Sequence, residues 1–185
     1  MKYVDQNNDG VIDDEDRVFC GSYYPNFYGS LTNDFSYKNF DLNIFMTFSQ
    51  GRDVYNGNNY ILLSGSSADN NRIEMLDRWT PENPSNKYPR ASSTGSNRLS
   101  TTTSEFLEDA SYLKVKNITL GYTLPQNAAS KLGMSRLRFY LSVSNPFTFT
   151  GYTGMDPEDG DVWNDTRSSS YPITTTYTFG LQAQF

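Results

Sequence analysis

Asp41-Leu42-Asn43-Ile44-Phe45-Met46-Thr47-Phe48-Ser49 carries an apolar side chain at every second place, Leu42, Ile44, Met46 and Phe48, alternating with Asp41, Asn43, Phe45, Thr47 and Ser49. A repeat of two is the repeat of a strand, because successive side chains point to opposite faces. The run before it, Gly29 to Tyr37, does the same, with Leu31, Phe35 and Tyr37 on one side and Ser30, Thr32, Asp34 and Ser36 on the other. Only the short turn Lys38-Asn39-Phe40 separates the runs, so they are predicted to pair as an antiparallel hairpin. Each is about ten residues long, the length a tilted strand needs to cross a bilayer.

Outward from this hairpin the pattern returns three times. Tyr112 to Leu124 alternates, with a switch of parity between Val115 and Ile118 that predicts a bulge. Leu137, Phe139, Leu141, Val143 and Phe147 alternate with Arg138, Tyr140, Ser142 and Ser144. The last run sets Tyr177, Phe179, Leu181, Ala183 and Phe185 against Thr176, Thr178, Gly180, Gln182 and Gln184. Strands are expected near 27–38, 40–50, 111–124, 136–149 and 173–185. Pro125 to Ser135 reads as a helical turn stopped at Gly133. Residues 51–110 are rich in Ser, Asn, Gly and Thr, with one helical piece near Asn70 to Trp79.

The connections are ordered by length: short at 38–40, long at 51–110, short at 125–135, long at 150–172. Outer-membrane barrels alternate short periplasmic turns with longer outside loops in this way. A soluble sandwich has no reason to sort its loops so. The expected fold is therefore all-β, an antiparallel transmembrane β-barrel of which the last five or so strands are present, with long external loops. That phasing puts the C-terminus in the periplasm. The domain division is 1–26, an acidic loop leading in, and 27–185, the barrel strands.

Composition agrees. Only 36% of the residues are hydrophobic, yet the chain holds 14 Tyr and 12 Phe, as strands with one wet and one apolar face require. The net charge of −6 and the absence of any basic stripe argue against nucleic acid. There is no His, which removes Ser/His/Asp and Cys/His catalysis and His-ligated zinc. The single Cys20 forms no internal disulfide and reads as a small half-buried residue. No apolar run follows Met1 and no stretch approaches a membrane helix, so export is expected to rest on a signal upstream.

One segment carries metal chemistry. Asp5-Gln6-Asn7-Asn8-Asp9-Gly10-Val11-Ile12-Asp13-Asp14-Glu15-Asp16 has oxygen donors at places one, three and five and Gly at six, the first half of a calcium loop. Asp5, Asn7 and Asp9 would converge on one ion, with the Val11 carbonyl, Asp13 and Asp16 completing the set. Asp16 stands where a bidentate Glu is preferred, and no helix pattern precedes the loop. The expected cofactor is Ca2+ in a structural role; the alternative is an acidic Asx-rich turn without an ion.

Several stretches together resemble one family. Asp5-x-Asn7-x-Asp9-Gly10-x-Ile12-Asp13 with Phe27-x-Gly29, Tyr37-Lys-Asn-Phe40-Asp-Leu42 and Arg78-Trp79-Thr80-Pro81-Glu-Asn-Pro84 are similar to SusC/RagA-type TonB-dependent transporters. So are Tyr112 to Tyr122, Ser144-Asn145-Pro146-Phe147, Gly151 to Glu158 and the ending Tyr177 to Phe185. Asn8 and Pro146 depart from the usual Gly and Leu. The resemblance implies the C-terminal end of a plugged barrel in the bacterial outer membrane that imports glycans or peptides. The partners it implies are membrane lipid, a SusD-type surface lipoprotein and TonB.

Two other classes of function are open to this sequence. A secreted, calcium-stabilised carbohydrate-binding or adhesion β-module would use Trp79 and Trp163 on sugar. An enzyme would need acid–base carboxylates; Asp156, Glu158, Asp159 and Asp161 lie in a Gly/Asp-rich loop with no apolar wall and read as a solvated acidic turn. No catalytic residue is expected.

Overall fold

The computed structural model describes residues 3–63, 65, 70–92, 103–158 and 172–185. In chain order the strands are β1 (Phe27–Tyr37), β2 (Phe40–Gln50), β3 (Asp53–Tyr55), β4 (Leu107–Asp109), β5 (Tyr112–Thr123), β6 (Arg136–Thr150) and β7 (Thr176–Gln184). Two short helices are α1 (Gly57–Leu63) and α2 (Gln126–Lys131). The chain divides into two compact units, one holding the long strands, with β7 among them, and the other holding the segments before Tyr24, Asp53–Asp109 and Thr153–Ser170.

The strand unit is one antiparallel sheet in the order β1-β2-β5-β6-β7. Tyr37 pairs with Phe40, so β1 and β2 are joined by a two-residue loop, and Lys38 takes a φ of 53° to make it. The sheet is open among the described residues, with β1 and β7 as its edges. No described helix is long and apolar enough to cross a membrane, which says nothing of strands.

Register explains the parity switch. Phe45 pairs with Asn117 and Met46 with Val115, so Lys116 is an extra residue in β5. On the other side Asn117 pairs with Ser144 and Val115 with Phe147, so Lys116 faces Asn145 and Pro146. Asn145 has a φ of 52°. A proline inside a central strand is tolerable at such a bulge, where no ladder donor is required of it. The extra residue brings Val115 and Ile118 to the same face, as their apolar character demands.

α2 starts after Pro125 and ends at Gly133, whose φ of 72° lets its N–H and that of Met134 reach the carbonyls of Ser130 and Ala129 at 3.0 and 3.1 Å. Ala129 and Leu137 are buried. The helical piece expected near Asn70 to Trp79 is a 3-10 turn, Ile73–Asp77, followed by extended backbone at Arg78. α1 and the β3–β4 pair lie in the stretch read as irregular.

The second unit has its own small core, Tyr60 and Phe106 with Tyr55, Ile61 and Leu63 packed against them. The Tyr55, Tyr60 and Phe106 rings lie 5.8–6.4 Å apart, centroid to centroid, in tilted and edge-on pairs.

In the sheet, Gly180 pairs with Tyr140, and a Cβ at 180 would fall inside the Tyr140 ring. Gly180→Val is therefore expected to destabilise the sheet by about 1–3 kcal/mol, while Gly151→Ala, with open space around it, stays within about 0.5 kcal/mol. Urea unfolding of the detergent-solubilised full-length protein measures the difference.

Candidate functional site

The sheet presents two chemically opposite surfaces. One row of paired residues crosses all five strands as Phe35, Leu42, Leu120, Leu141 and Phe179. The next row, one residue along, is Asp34, Asn43, Thr119, Ser142 and Thr178. The alternation read along single runs is thus carried across the sheet in register. On the apolar side Phe35 is 57% and Phe179 72% exposed. A contiguous apolar surface of this extent marks contact with lipid or protein.

The polar side is tied together by side chains. Asn43 donates to Asp34 at 2.7 Å. Asn117 donates to Ser142 at 3.1 Å and accepts from Thr119 at 2.8 Å, and the Thr119 and Ser142 hydroxyls are 2.9 Å apart. Near the short-turn end, Arg138 forms an ion pair with Asp41 through Nη2, with Nε donating at 3.1 Å. The guanidinium also lies 5.4 Å from the Tyr140 ring centroid. A Cβ on Gly121 would collide with both members of the pair, so the glycine is what admits it. The pair escaped the sequence reading because its members are 97 residues apart, with no local pattern to link them.

The acidic loop closes on itself. The Asp5 carboxylate accepts from the N–H groups of Asn8 and Gly10 at 2.6 and 2.9 Å. Asn7 Oδ1 accepts from Asp9 N, and Asp9 Oδ1 from Val11 N. Asn8 and Gly10 supply left-handed turns, φ 61° and 82°. Asp13 caps the following 3-10 turn by accepting from Glu15 N, and Asp16 reaches back to Asp13 N at 3.0 Å and to Gln6 N at 2.6 Å. Those N–H donors hold the Asp16 carboxyl below its ordinary value. Asp5, Asn7, Asp9, Val11, Asp13 and Asp16 thus share one closed loop, in which the side-chain oxygens of the Asp and Asn residues accept from backbone N–H groups and Val11 is one of the donors. Among the described residues no three His, Cys, Asp or Glu side chains converge on an ion position. The donors are nevertheless all oxygen, the set a hard cation takes.

The second unit holds a polar knot that sequence reasoning missed. Glu108 Oε1 accepts from Asn56 and Asn59 at 2.9 Å each, and Oε2 from the Thr153 N–H at 2.8 Å. Arg72 donates to Asn59 Oδ1 at 2.6 Å and pairs with Glu74 at 2.9 Å. Asn56 is 1% exposed and starts α1 by accepting from Asn59 N. One half-buried carboxylate thereby pins three segments far apart in sequence. Beside it, burial pushes the Tyr55 hydroxyl up to about 12.

Other expectations are corrected. Cys20 is exposed, not half-buried, its thiol donating to the Val18 carbonyl at 3.3 Å. Asp156 is not solvated: it is 8% exposed and accepts from Glu158 N at 2.8 Å. Trp79 is about one-third exposed, and its backbone N–H donates to the Tyr88 carbonyl. Asp159, Asp161 and Trp163 lie outside the described residues.

No protein-family model matches the chain. TonB-dependent receptor P3 of Formosa agariphila is 36% identical over 99% of the chain and 19% of that protein. TonB-dependent receptor SusC of Bacteroides thetaiotaomicron is 30% identical over 99% of the chain and 17% of that protein. Among solved structures, the RagAB peptide importer in its closed-closed state matches with a TM-score of 0.76 and 28% identity, covering 90% of this chain and 18% of that one. Its open-open state gives 0.73 and 26% over 89% and 18%. The chain spans about a fifth of the length of the curated relatives it matches. By sequence along its whole length, and by the arrangement of its strands, the chain is of the SusC/RagA-type TonB-dependent receptors.

Proposed function

We propose that this chain is barrel wall of a TonB-linked outer-membrane importer of glycans or peptides, working with a SusD-type surface lipoprotein. The observation that carries the reading is the partition of the sheet across five strands into an apolar surface, interrupted by Asn33, and a polar surface that also carries Phe45 and Tyr140. Aromatics sit at both ends of the apolar surface: Tyr37, Phe40, Tyr122 and Phe139 at one, Phe27, Phe48 and Phe149 at the other. Phe40 and Phe48 are eight residues apart, roughly 26 Å along a strand and about 20 Å at a 40° tilt. A barrel's lipid band stands about 25 Å tall between aromatic girdles. The polar surface then lines a wet lumen, with the short turns and the C-terminus periplasmic and the long loops outside. The role in uptake is supported by relatives named as TonB-dependent receptors and by neighbours described as a peptide importer.

The acidic loop is proposed to hold Ca2+ structurally, with Asp5, Asn7, Asp9, the Val11 carbonyl, Asp13 and Asp16 as donors. What supports this is the oxygen-only set on a loop already turned by Asn8 and Gly10. The ion would replace hydrogen bonds that now consume the carboxylates and would stiffen the entry to β1.

Two experiments test these readings. Ile118→Arg, at mid-height on the apolar surface, should cost the full-length protein about 2–4 kcal/mol in a bilayer, and Thr119→Arg on the other surface much less. Urea titration in vesicles, read by heat-modifiable gel mobility, measures both; equal costs would contradict the division into two surfaces. For the loop, Ca2+ should slow proteolysis between Asp5 and Asp16 relative to chelator, and Asp9→Ala should abolish the effect. Because the folded Asp16 value lies below its ordinary 3.8, its contribution is present above that value and is lost as pH falls through the lower, folded one. The protection of the Gln6 and Asp13 amides, each exchange rate taken relative to the intrinsic rate at the same pH, should therefore hold from pH 8 to 5 and fall only below 3.8.

A further inference from the structure

At the long-loop end of the apolar surface the sheet is not flat. A cleft of about 340 Å3 opens there, formed on that face by Phe27, Phe48, Leu113 and Phe149, with Gln50 and Ser111 at its outer mouth. Register explains how it forms. Gly29, Phe48, Leu113 and Phe149 occupy one row across β1, β2, β5 and β6. The Phe48 ring tips toward Gly29, where a Cβ would stand 2.9 Å from Cζ. It thus leans away from Leu113, which becomes the floor of a slot between Phe48 and Phe149. Phe27 meets Phe48 edge-on at 6.2 Å, and Phe149 stacks on Phe147 at 6.4 Å, so both walls are braced. Phe27, Leu113 and Phe149 remain 41–59% exposed.

We infer that this cleft is a binding site for one acyl chain of a bilayer lipid, held by its first methylenes. The inference rests on the membrane reading above. An apolar slot between two aromatic walls suits a hydrocarbon chain better than a globular side chain. The slot is continuous along β2 and β5 with the surface that meets hydrocarbon. Its mouth carries a carboxamide and a hydroxyl, at the level where the ester or amide linkage of a lipid lies, and Gln50 can donate to that linkage's carbonyl.

The test uses the full-length protein in vesicles of a phosphatidylcholine whose acyl chain carries a photoactivatable diazirine near the ester, with crosslinks mapped by peptide mass spectrometry. Labelling at Phe48, Leu113 and Phe149 is expected to exceed that at Leu141 and Phe179 about tenfold, the ratio given by burying about two further methylenes. Gly29→Ala, which pushes the Phe48 ring back into the slot, and Leu113→Trp, which fills it, should each abolish the excess and leave Leu141 and Phe179 labelling unchanged. Uniform labelling over the whole surface overturns the site while leaving the membrane reading intact. Labelling of Leu141 and Phe179 with none at the cleft shows that another part of the protein covers it, and also overturns the site. No labelling at any of these positions removes the membrane reading and the site with it.

Discussion

The row Phe35, Leu42, Leu120, Leu141, Phe179 and the row Asp34, Asn43, Thr119, Ser142, Thr178 are one residue apart, and strand register alone keeps them on opposite sides. A slip of one residue in any strand would send its whole apolar set to the wet side. No single side chain can correct such an error, so register has to be fixed by backbone geometry at a few points. The two-residue turn at Lys38 fixes β1 against β2. The bulge at Lys116 does the same for β5, absorbing the extra residue at a position where Asn145 and Pro146 make the matching irregularity in β6. These devices also fit hydrocarbon as a solvent, where every backbone donor must be satisfied within the sheet.

Small residues then decide where the polar surface can carry charge. Gly121 makes room for the Arg138–Asp41 pair, and Gly180 lets Tyr140 lie flat across β7. Glycine weakens a strand on its own account, and its presence in a strand interior marks the close approach of another group. Gly29 plays the same part on the apolar side by letting Phe48 tip. In the second unit the organising element is different: a half-buried carboxylate, Glu108, collects donors from Asn56, Asn59 and Thr153. Removing that carboxylate would take an acceptor from two buried amides, Asn56 and Asn59, and a buried donor left unpaired costs more than the bond itself contributes.

Much of the sheet was legible in the sequence because a half-buried strand must alternate, and the parity switch at Val115 and Ile118 announced the bulge. Gly133 announced the end of α2 for an equally local reason. What stayed hidden is non-local or too short. β3 and β4 have three residues each, too few to show a period. α1 carries no charge pattern, and its cap, Asn56, looks like any loop asparagine. The Glu108 knot and the Arg138–Asp41 pair join residues that only the folded topology brings together. The acidic loop was readable as a spacing of oxygen donors, but spacing does not reveal that its carboxylates turn onto backbone N–H groups. Cys20 and Asp156 were misjudged because composition says little about the exposure of a single loop residue.

The central claim is that the two surfaces of this sheet have different solvents, lipid for one and water for the other. The most direct measurement is spin-label accessibility along β2, with labels placed singly from Asp41 to Ser49 in the full-length protein in vesicles. The account predicts that collision with oxygen peaks at residues 42, 44, 46 and 48, and that collision with a water-soluble nickel chelate peaks at the positions between them, the two profiles alternating out of phase. Profiles that rise and fall together, or a nickel chelate that reaches both surfaces equally, would contradict it.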